Sequence, residues 1–421
     1  ECDFAREGGW CDESGEPVMP LYDRELVSKL EDQAEDFKVP EERKQSVREY
    51  RDAFDNVSSN YSKEEVQEAL SEDEFPGALP TDEFDKVSGF SVDFDQSWSS
   101  HEEVNVWAVD VLEDRVMIAA DGSQIEPIDE FDQPVGLAQA VWLINRHKRG
   151  KDYTRDVDME VLTPEDLLYK DPNTGYVQVD EQEVSVSRFE LEMKVLCERI
   201  EEYADAERPP VVMYDGSLEI SFIQTFDQNT QERYAKAMSR LLAASRHHEV
   251  PVIGFTSGSK GRDLAVMLEH LNEVDAPQKV RDFRVLLQEL GNWGDRSVLF
   301  RTQRGSTMNR LSTSYHGGEY DFSDRLLFTY LNTGSGQSLD RVGIPKWVHE
   351  EGMVDEVLST VRAQAAVGRG FPEILSAADA DAVISNTDRD RFLEIMQTFS
   401  EANDIDIRWV DKALNKRRRR R

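Results

Sequence analysis

"RVMIAADGSQIEP", residues 115–127, leads from a hydrophobic run into Asp121-Gly-Ser, and "PPVVMYDGSLEIS", residues 209–221, repeats the pattern around Asp215. A short, continuous apolar run predicts a buried β-strand. The glycine lets the chain turn sharply after each aspartate, so we expect both carboxylates where a strand ends. One such pattern is typical of an ordinary turn. If the two strands are neighbours in one sheet, however, Asp121 and Asp215 lie at the same edge and can share a metal site.

The segments around these two strands predict the element order β-β-β-α-β-α-β-α. The strands after the first are "VGLAQAVWLINRH", "RDVDMEVL", "VVMYD" and "VPVIGFTS", and the helices are about residues 183–207, "NTQERYAKAMSRLLAASRHH" and "RDLAVMLEHLN". A further strand pair is expected at "SVLFRT" and "LLFTYLN", followed by "DRVGIPKWV" and C-terminal helices. This order predicts an α/β fold in which helices flank a mixed sheet.

The N-terminal part of the chain has a different character. Residues 1 to about 75 have helical periodicity, and "SKEEVQEAL" opens with a Ser-x-x-Glu capping box at Ser62. Residues 76–100 mix Pro, Gly, Ser and Asp without a period, which indicates either a linker or an arm laid over the next domain. At the other end, "NKRRRRR" could contact DNA phosphates or an acidic partner, or could be a tail with no specific role.

The charge of the chain is extreme. Asp and Glu number 85 against 49 Lys and Arg, a formal net charge of -36, and lysine is scarce, 15 residues against 34 arginines. This balance resembles that of proteins from halophiles. Hydrophobic residues still make up 39% of the chain, which favours a packed fold over a disordered acidic chain. In molar salt the Debye length is about 3 Å, so the net charge does not exclude DNA as a partner.

Cysteine usage and hydropathy predict a cytoplasmic protein. Cys2, Cys11 and Cys197 are an odd number, which favours reduced thiols over a disulfide framework. No apolar run approaches the roughly 18 residues of a membrane span, and the acidic N-terminus lacks a signal-peptide pattern. We therefore expect a soluble intracellular protein with no membrane partner.

The long helix predicted at about residues 183–207 offers a third carboxylate. On a helical wheel, Glu192 falls inside the apolar arc, whereas Glu190 lies at its edge. A carboxylate within a packing face is costly unless it is paired or bound to a metal, so Glu192 is the better candidate. The alternative is a structural ion pair with Arg188 or Arg199.

Three converging carboxylates without His or Cys form a hard, oxygen-rich site that suits Mn²⁺ or Mg²⁺. Two such ions about 3.5–4 Å apart can activate a water and stabilise the leaving oxygen of a phosphodiester. An Asp on the first strand, a Glu on the long helix and an Asp on the fourth strand resemble the RNase H-like nucleases. The sequence thus predicts phosphodiester hydrolysis, and an unrelated acidic metal-binding phosphatase is a more distant alternative.

A more specific resemblance is carried by a series of motifs. They are "FDQSWSSHEEVNVWAVDVL", "AADGSQIEP", "SRFELEMKVL", "VVMYDGSL", "GDRSVLF", "DRVGIPKWV" and a Pro-x-x-Leu-x-x-Ala segment near the C-terminus. Each motif is modest alone, but their order and spacing over about residues 94–385 resemble the NurA nuclease family. The resemblance divides the chain into a helical N-terminal region and linker (1–93), a nuclease domain (94–414) and a basic tail (415–421).

The resemblance implies an RNase H-like core with manganese-dependent 5′-to-3′ exonuclease and single-strand endonuclease activity. It also implies a homodimer that works with the HerA hexameric DNA translocase in the end resection of double-strand break repair. By the same resemblance, Asp121, Glu192 and Asp215 are the catalytic metal ligands, with Mn²⁺ or Mg²⁺ as the cofactor.

The chain departs from the family at one position. In "FPEILSAAD", Asp379 stands where the family commonly has His. Aspartate can also ligate Mn²⁺, but it has no imidazole that could act as a general acid. Asp379 is therefore either a fourth metal ligand or a solvated helix residue. The departure also motivates an alternative function, a non-catalytic or weakly catalytic regulatory subunit of the translocase.

Two basic residues are candidates for contacts with DNA. Lys260 lies in "GFTSGSKGR", which lacks the spacing of a P-loop and predicts a strand-to-helix turn. Arg296, in "GDRSVLF", could hold the DNA backbone by bidentate pairing or form a structural salt bridge. The pair His247-His248 and His349 show no metal-ligand spacing and are interpreted as surface residues.

Overall fold

The structure is a computed structural model. It describes residues 10–11, 17–18, 23–34, 40–87, 89–127, 131–148, 150, 153–171, 174–274, 278–305, 308–334, 337–403 and 405. The basic tail at 415–421, Cys2 and the end of the predicted nuclease domain lie outside the described residues.

Most strands belong to one large mixed sheet. Three two-stranded ribbons lie outside it: β1 (Trp10–Cys11) with β2 (Pro17–Val18), β8 (Leu168–Lys170) with β9 (Val177–Val179), and β14 (Ser312–Tyr315) with β15 (Gly318–Asp321). The 11 strands of the large sheet are β3 (Gly77–Pro80), β4 (Ser91–Val92), β5 (Met117–Ile125), β6 (Gly136–Asn145), β7 (Thr154–Leu162), β10 (Val211–Asp215), β11 (Val252–Thr256), β12 (Arg296–Ser297), β13 (Phe300–Gln303), β16 (Leu326–Leu331) and β17 (Asp340–Pro345). Their order is β3-β13-β16-β17-β11-β10-β5-β6-β7, with β12 paired to both β16 and β4.

The pairing of β5 and β10 positions the candidate site. Strands β5, β6 and β7 form the predicted antiparallel meander, whereas β10 runs parallel to both β5 and β11. Met213 lies beside Ala119. The pairing ends there, and Asp215 and Asp121 each follow two residues later along neighbouring strands.

Helices cover both faces of the sheet. They are α1 (Asp23–Asp32), α2 (Glu41–Asn60), α3 (Lys63–Ala69), α4 (His101–Leu112), α5 (Pro164–Leu167), α6 (Glu183–Glu202), α7 (Gln228–His247), α8 (Asp263–His270), α9 (Asp282–Leu286), α10 (Lys346–Glu350), α11 (Val354–Val367), α12 (Glu373–Ala382) and α13 (Asn386–Ala402). Because side chains alternate along a strand, Ile118 and Ala120 of β5 join one core with α6 and α7, whereas Met117 and Ala119 join a second core with α11 and α12. The α/β fold with a mixed sheet flanked by helices is confirmed.

The N-terminal region is joined to the sheet. Helix α3 begins with the predicted capping box at Ser62. After it, β3 pairs with β13 and β4 pairs with β12, so residues 76–100 form an arm over the sheet. Phe54 of α2 and Phe90 of the arm are buried in one core with Phe300 and Phe328 of the sheet.

Two expectations about element bounds need correction. Strand β5 runs through Asp121-Gly-Ser to Ile125, so only the second Asp-Gly-Ser ends a strand. The long helix α6 ends at Glu202, earlier than expected.

No helix among the described residues is long and apolar enough to cross a membrane.

Candidate metal centre

Two neighbouring strands bring Asp121 and Asp215 together. Asp121 lies within β5, and its Oδ1 accepts a hydrogen bond of 2.9 Å from the backbone N–H of Gly122. Asp215 is the last residue of β10 and is exposed. The negative charge of Asp121 raises the pKa of Asp215, and the charges of both aspartates raise the pKa of Glu192.

Helix α6 contributes Glu192, which lies on the helix face that packs against the sheet. Its exposed fraction is 4%, and its Oε2 lies 3.2 Å from Arg188 Nη1, one helical turn earlier. Arg188 also donates from Nε to Gln124 Oε1 on β5, at 2.9 Å. The predicted structural pair with Arg188 is therefore present, and the same arginine links Glu192 to the strand of Asp121.

Glu190 points to a different partner. Both of its carboxylate oxygens accept hydrogen bonds from Arg233 of α7, at 3.0 and 2.6 Å. Its charge is thus already compensated outside the cluster. Of the two glutamates that the sequence left open, the structure places Glu192 beside the aspartates.

Helix α12 brings Asp379 to the same place. The carbonyl of Ala382, at the end of α12, accepts hydrogen bonds from Ser123 Oγ of β5 and from Gln139 Nε2 of β6, the latter at 3.0 Å. Asp379 itself is exposed. Its charge raises the pKa values of both Asp121 and Asp215, so it faces the cluster.

Burial and mutual repulsion perturb the whole group. Burial, opposed by Arg188 and reinforced by Asp121 and Asp215, raises the pKa of Glu192 to about 8. Burial and the charges of Asp121 and Asp379 raise the pKa of Asp215 to about 6. The pKa of Asp121 is raised by burial first and by Asp379 next. Carboxylates that disfavour each other's charge in this way are typical of functional sites.

The donor atoms of this group suit hard divalent cations. All four side chains offer only carboxylate oxygens, which Mg²⁺ and Mn²⁺ accept. In the described part of the chain, these oxygens do not form a set of three within 4.8 Å of one another.

A cationic cavity of about 600 Å³ adjoins the cluster. Gly216 and Ser217, which follow Asp215, line it together with Lys260 and Arg281. Arg304 and Arg341 also line it, but they are paired with the buried carboxylates Asp263 and Glu219. Within the described ranges, Lys260 and Arg281 have no acidic partner within 4.0 Å, so their charges are free to face an anion.

Arg296 is placed differently from the expected DNA contact. It is 4% exposed, and its two terminal nitrogens donate to Glu83 at 2.8 and 2.9 Å. A buried guanidinium in a bidentate pair cannot reach a DNA phosphate. The DNA-binding interpretation of Arg296 is corrected in favour of its alternative, a structural salt bridge.

The sequence missed several residues that the structure brings together. Arg188 was considered only as a competing partner of Glu192, and Arg281 was not considered. His248 was interpreted as a surface residue without metal-ligand spacing, yet its ring lies near Glu201 and His316. Segments that are distant in the chain meet here, so no local spacing could have indicated the group.

Comparisons with known proteins identify a family model and several similar solved structures. The model of the NurA domain matches residues 115–384, well over half of the chain. Among solved structures, the NurA nuclease from Sulfolobus solfataricus is 17% identical, with a TM-score of 0.44, over 69% of this chain and 85% of that one. A structure of NurA with manganese is 9% identical, with a TM-score of 0.37, over 69% and 89% of the two chains. A structure of NurA bound to dAMP and manganese is 8% identical, with a TM-score of 0.33, over 68% and 88%. No curated protein matches the chain.

Proposed function

The chain belongs to the NurA family, and on that premise we propose that it is a manganese-dependent DNA nuclease that hydrolyses phosphodiester bonds. One observation carries the proposal. Asp121, Glu192, Asp215 and Asp379 come from two strands and two helices to one place, where three of their pKa values are raised. Concentrated negative charge of this kind is stable when a divalent cation neutralises it.

Each residue of the cluster has a proposed role. Asp121, Glu192 and Asp215 hold the metal, and Asp379 completes the ligand set from α12. Arg188 positions Glu192 by pairing with it. Bound metal ions supply an activated water and neutralise the charge that develops on the leaving oxygen.

The cationic cavity is the proposed binding surface for the DNA backbone. Lys260 and Arg281 stand at a cavity that begins at Gly216, the residue after a proposed metal ligand. We propose that they bind the backbone phosphates next to the bond that is cut.

The finer functional assignments rest on the family resemblance. They are 5′-to-3′ exonuclease and single-strand endonuclease activity in DNA end resection, a HerA-type hexameric translocase as partner, and a homodimer. A salt-rich cytoplasm is proposed from the acidic composition instead. The alternative, a regulatory subunit of that translocase with little activity of its own, is favoured by the aspartate at 379. Without an imidazole there, protonation of the leaving group must come from another source.

Degradation of end-labelled single- and double-stranded DNA tests the proposal. The assay compares Mn²⁺, Mg²⁺ and EDTA over a range of KCl concentrations up to molar. We expect Asp121→Asn and Asp215→Asn to lower the rate at least about 100-fold, since even outer-shell changes at metal sites cost about 10- to 100-fold. Asp110→Asn, an exposed position on α4, is the matched control.

Two outcomes would redirect the assignment. If cleavage persists in both variants, the carboxylate cluster is not the catalytic centre. If the wild-type protein cuts no DNA with or without the translocase, but changes the ATPase rate of the motor, the regulatory function replaces the nuclease.

A further inference from the structure

A second group of metal-ligating side chains lies at the C-terminal end of α6. Glu201 is in the last turn of α6, His248 caps the C-terminus of α7, and His316 begins the turn between β14 and β15. One ligand atom from each residue lies within 4.8 Å of the others. Glu201 follows Glu192 by nine residues, about 13 Å along the helix axis, so this group is separate from the carboxylate cluster.

We propose that Glu201, His248 and His316 form a Zn²⁺ site that fastens the β14–β15 hairpin to the ends of α6 and α7. Two imidazoles and one carboxylate are a donor set that zinc accepts, with a fourth position left for water. Nitrogen donors of this kind favour zinc over the Mn²⁺ and Mg²⁺ that suit an all-carboxylate site.

The distances are compatible with closure around one ion. His316 Nε2 lies 3.9 Å from Glu201 Oε1. Ligands bound to zinc at about 2.0–2.1 Å in a tetrahedron are about 3.4 Å apart, so small side-chain rotations suffice. The side chains of His316 and Glu201 are 55% and 43% exposed, which leaves them room to rotate.

Neighbouring aromatic side chains hold the ligands in place. The buried Tyr315 donates its hydroxyl hydrogen to Glu201 Oε1 at 2.6 Å, and the hydroxyl oxygen of Tyr315 lies 3.5 Å from His248 Nε2. The ring of His247 stacks on that of His316, with centroids 5.1 Å apart. Groups that orient ligands in this way are typical of metal sites.

The hairpin turn fixes where His316 lies. Tyr315 pairs with Gly318, so the turn consists of His316 and Gly317, with φ values of 47° and 80°. A two-residue turn with both φ values positive prefers Asn-Gly or Gly-Gly, and histidine is among the residues that adopt positive φ more often than most. The turn therefore presents His316 at the tip of the hairpin.

Metal binding to the chelator-stripped full-length chain tests the site. The variants are made in the Asp121→Asn, Asp215→Asn background, which weakens the carboxylate cluster. Isothermal titration with ZnCl₂ is expected to show one site per chain that is lost in His316→Asn and in His248→Gln. Asparagine preserves the turn because it tolerates positive φ. His101→Asn, an exposed histidine at the start of α4, is the matched control and should retain the site.

Two further readouts keep the test decisive. Co²⁺ should give the intense visible absorption of a four-coordinate ion in the control and not in His316→Asn. Zn²⁺ should raise the melting temperature of the control alone, while the metal-free proteins melt together. If a histidine variant fails to fold, Glu201→Gln replaces it. Equal zinc uptake by the control and the ligand variants overturns the proposed zinc site. Nuclease activity with Mn²⁺ is measured separately in the otherwise wild-type His316→Asn protein. If that activity is retained, loss of the zinc site and loss of the proposed nuclease function are independent.

Discussion

Glu192 is the side chain whose charge the fold disfavours most in the candidate centre. Its pKa of about 8 lies far above the roughly 4.3 of an exposed glutamate. In the metal-free protein, the folded state therefore prefers the protonated carboxyl. This contribution to stability is fully present below about pH 4 and is lost as the pH rises through about 8.

Glu192→Gln should therefore stabilise the metal-free protein at pH 9 by about 1–3 kcal/mol, the typical cost of a poorly satisfied buried polar or charged group. The gain should shrink as the pH falls from 8 towards 4. Urea unfolding in EDTA at several pH values measures it, with Glu202→Gln, an exposed position on α6, as the control. The same variant should lose nuclease activity and much of the stabilisation by Mn²⁺. Lower stability of the variant at pH 9 would contradict the strained-carboxylate interpretation.

At the scale of elements, the two Asp-Gly-Ser segments use glycine for different reasons. In β5, a Cβ on Gly122 would lie 2.8 Å from Arg188 Cγ, so the missing side chain makes room for the arginine that pairs with Glu192. At the end of β10, Gly216 has φ +149°, and a Cβ there would lie 2.8 Å from the Tyr214 ring. Gly122 therefore leaves space for Arg188 of α6, whereas Gly216 allows the chain to turn after Asp215.

Gly216→Ala should therefore lower nuclease activity about 10- to 100-fold by displacing Asp215, since small misplacements of a catalytic group are costly. Activity assays and thermal unfolding of Gly216→Ala and of Gly291→Ala check this. Gly291 is a suitable control because its nearest non-neighbouring atom would be 3.7 Å from an added Cβ. Unchanged activity in folded Gly216→Ala would show that the turn does not position Asp215.

The arm formed by residues 76–100 depends on a buried ion pair. Arg296 of β12 holds Glu83, which also accepts a hydrogen bond from the backbone N–H of Leu299 at 2.9 Å. Arg296→Ala should cost about 3–5 kcal/mol, because removal of one partner leaves the other buried and unpaired. Urea unfolding measures the loss, and Arg325→Ala is the control, because Arg325 is exposed and forms no ion pair among the described residues. If Arg296→Ala instead keeps its stability and loses affinity for DNA, the original DNA-binding interpretation returns.

At the scale of the molecule, one continuous hydrophobic core spans the proposed domain boundary between residues 93 and 94. The family resemblance had suggested that boundary. Strand β3 is one edge of the large sheet, and α2 packs on α8 and α9 of the nuclease region. Deletion of residues 1–93 removes Phe54 and Phe90, so it should expose Phe300 and Phe328, which share their core, and yield aggregated protein.

Deletion of residues 1–39 is the matched control, because α2 and everything after it remain. Size-exclusion chromatography and circular dichroism distinguish the two proteins. A soluble, cooperatively folding 94–421 fragment would support a separate nuclease domain and contradict the continuous core.

The sequence by itself determined the order of elements, because strand and helix periodicities are local properties of the chain. Apolar runs placed β5 and β10, and the helical wheel separated buried Glu192 from Glu190. Side-chain partners were decided by the tertiary structure. The position of Asp379 depends on how α12 packs on β5. The burial of Arg296 depends on the arm, whose strand β4 pairs with β12. The meeting of Glu201, His248 and His316 depends on where a hairpin lies against two helix ends. These contacts join residues far apart in the chain, and only packing brings them within hydrogen-bonding or ligand distance.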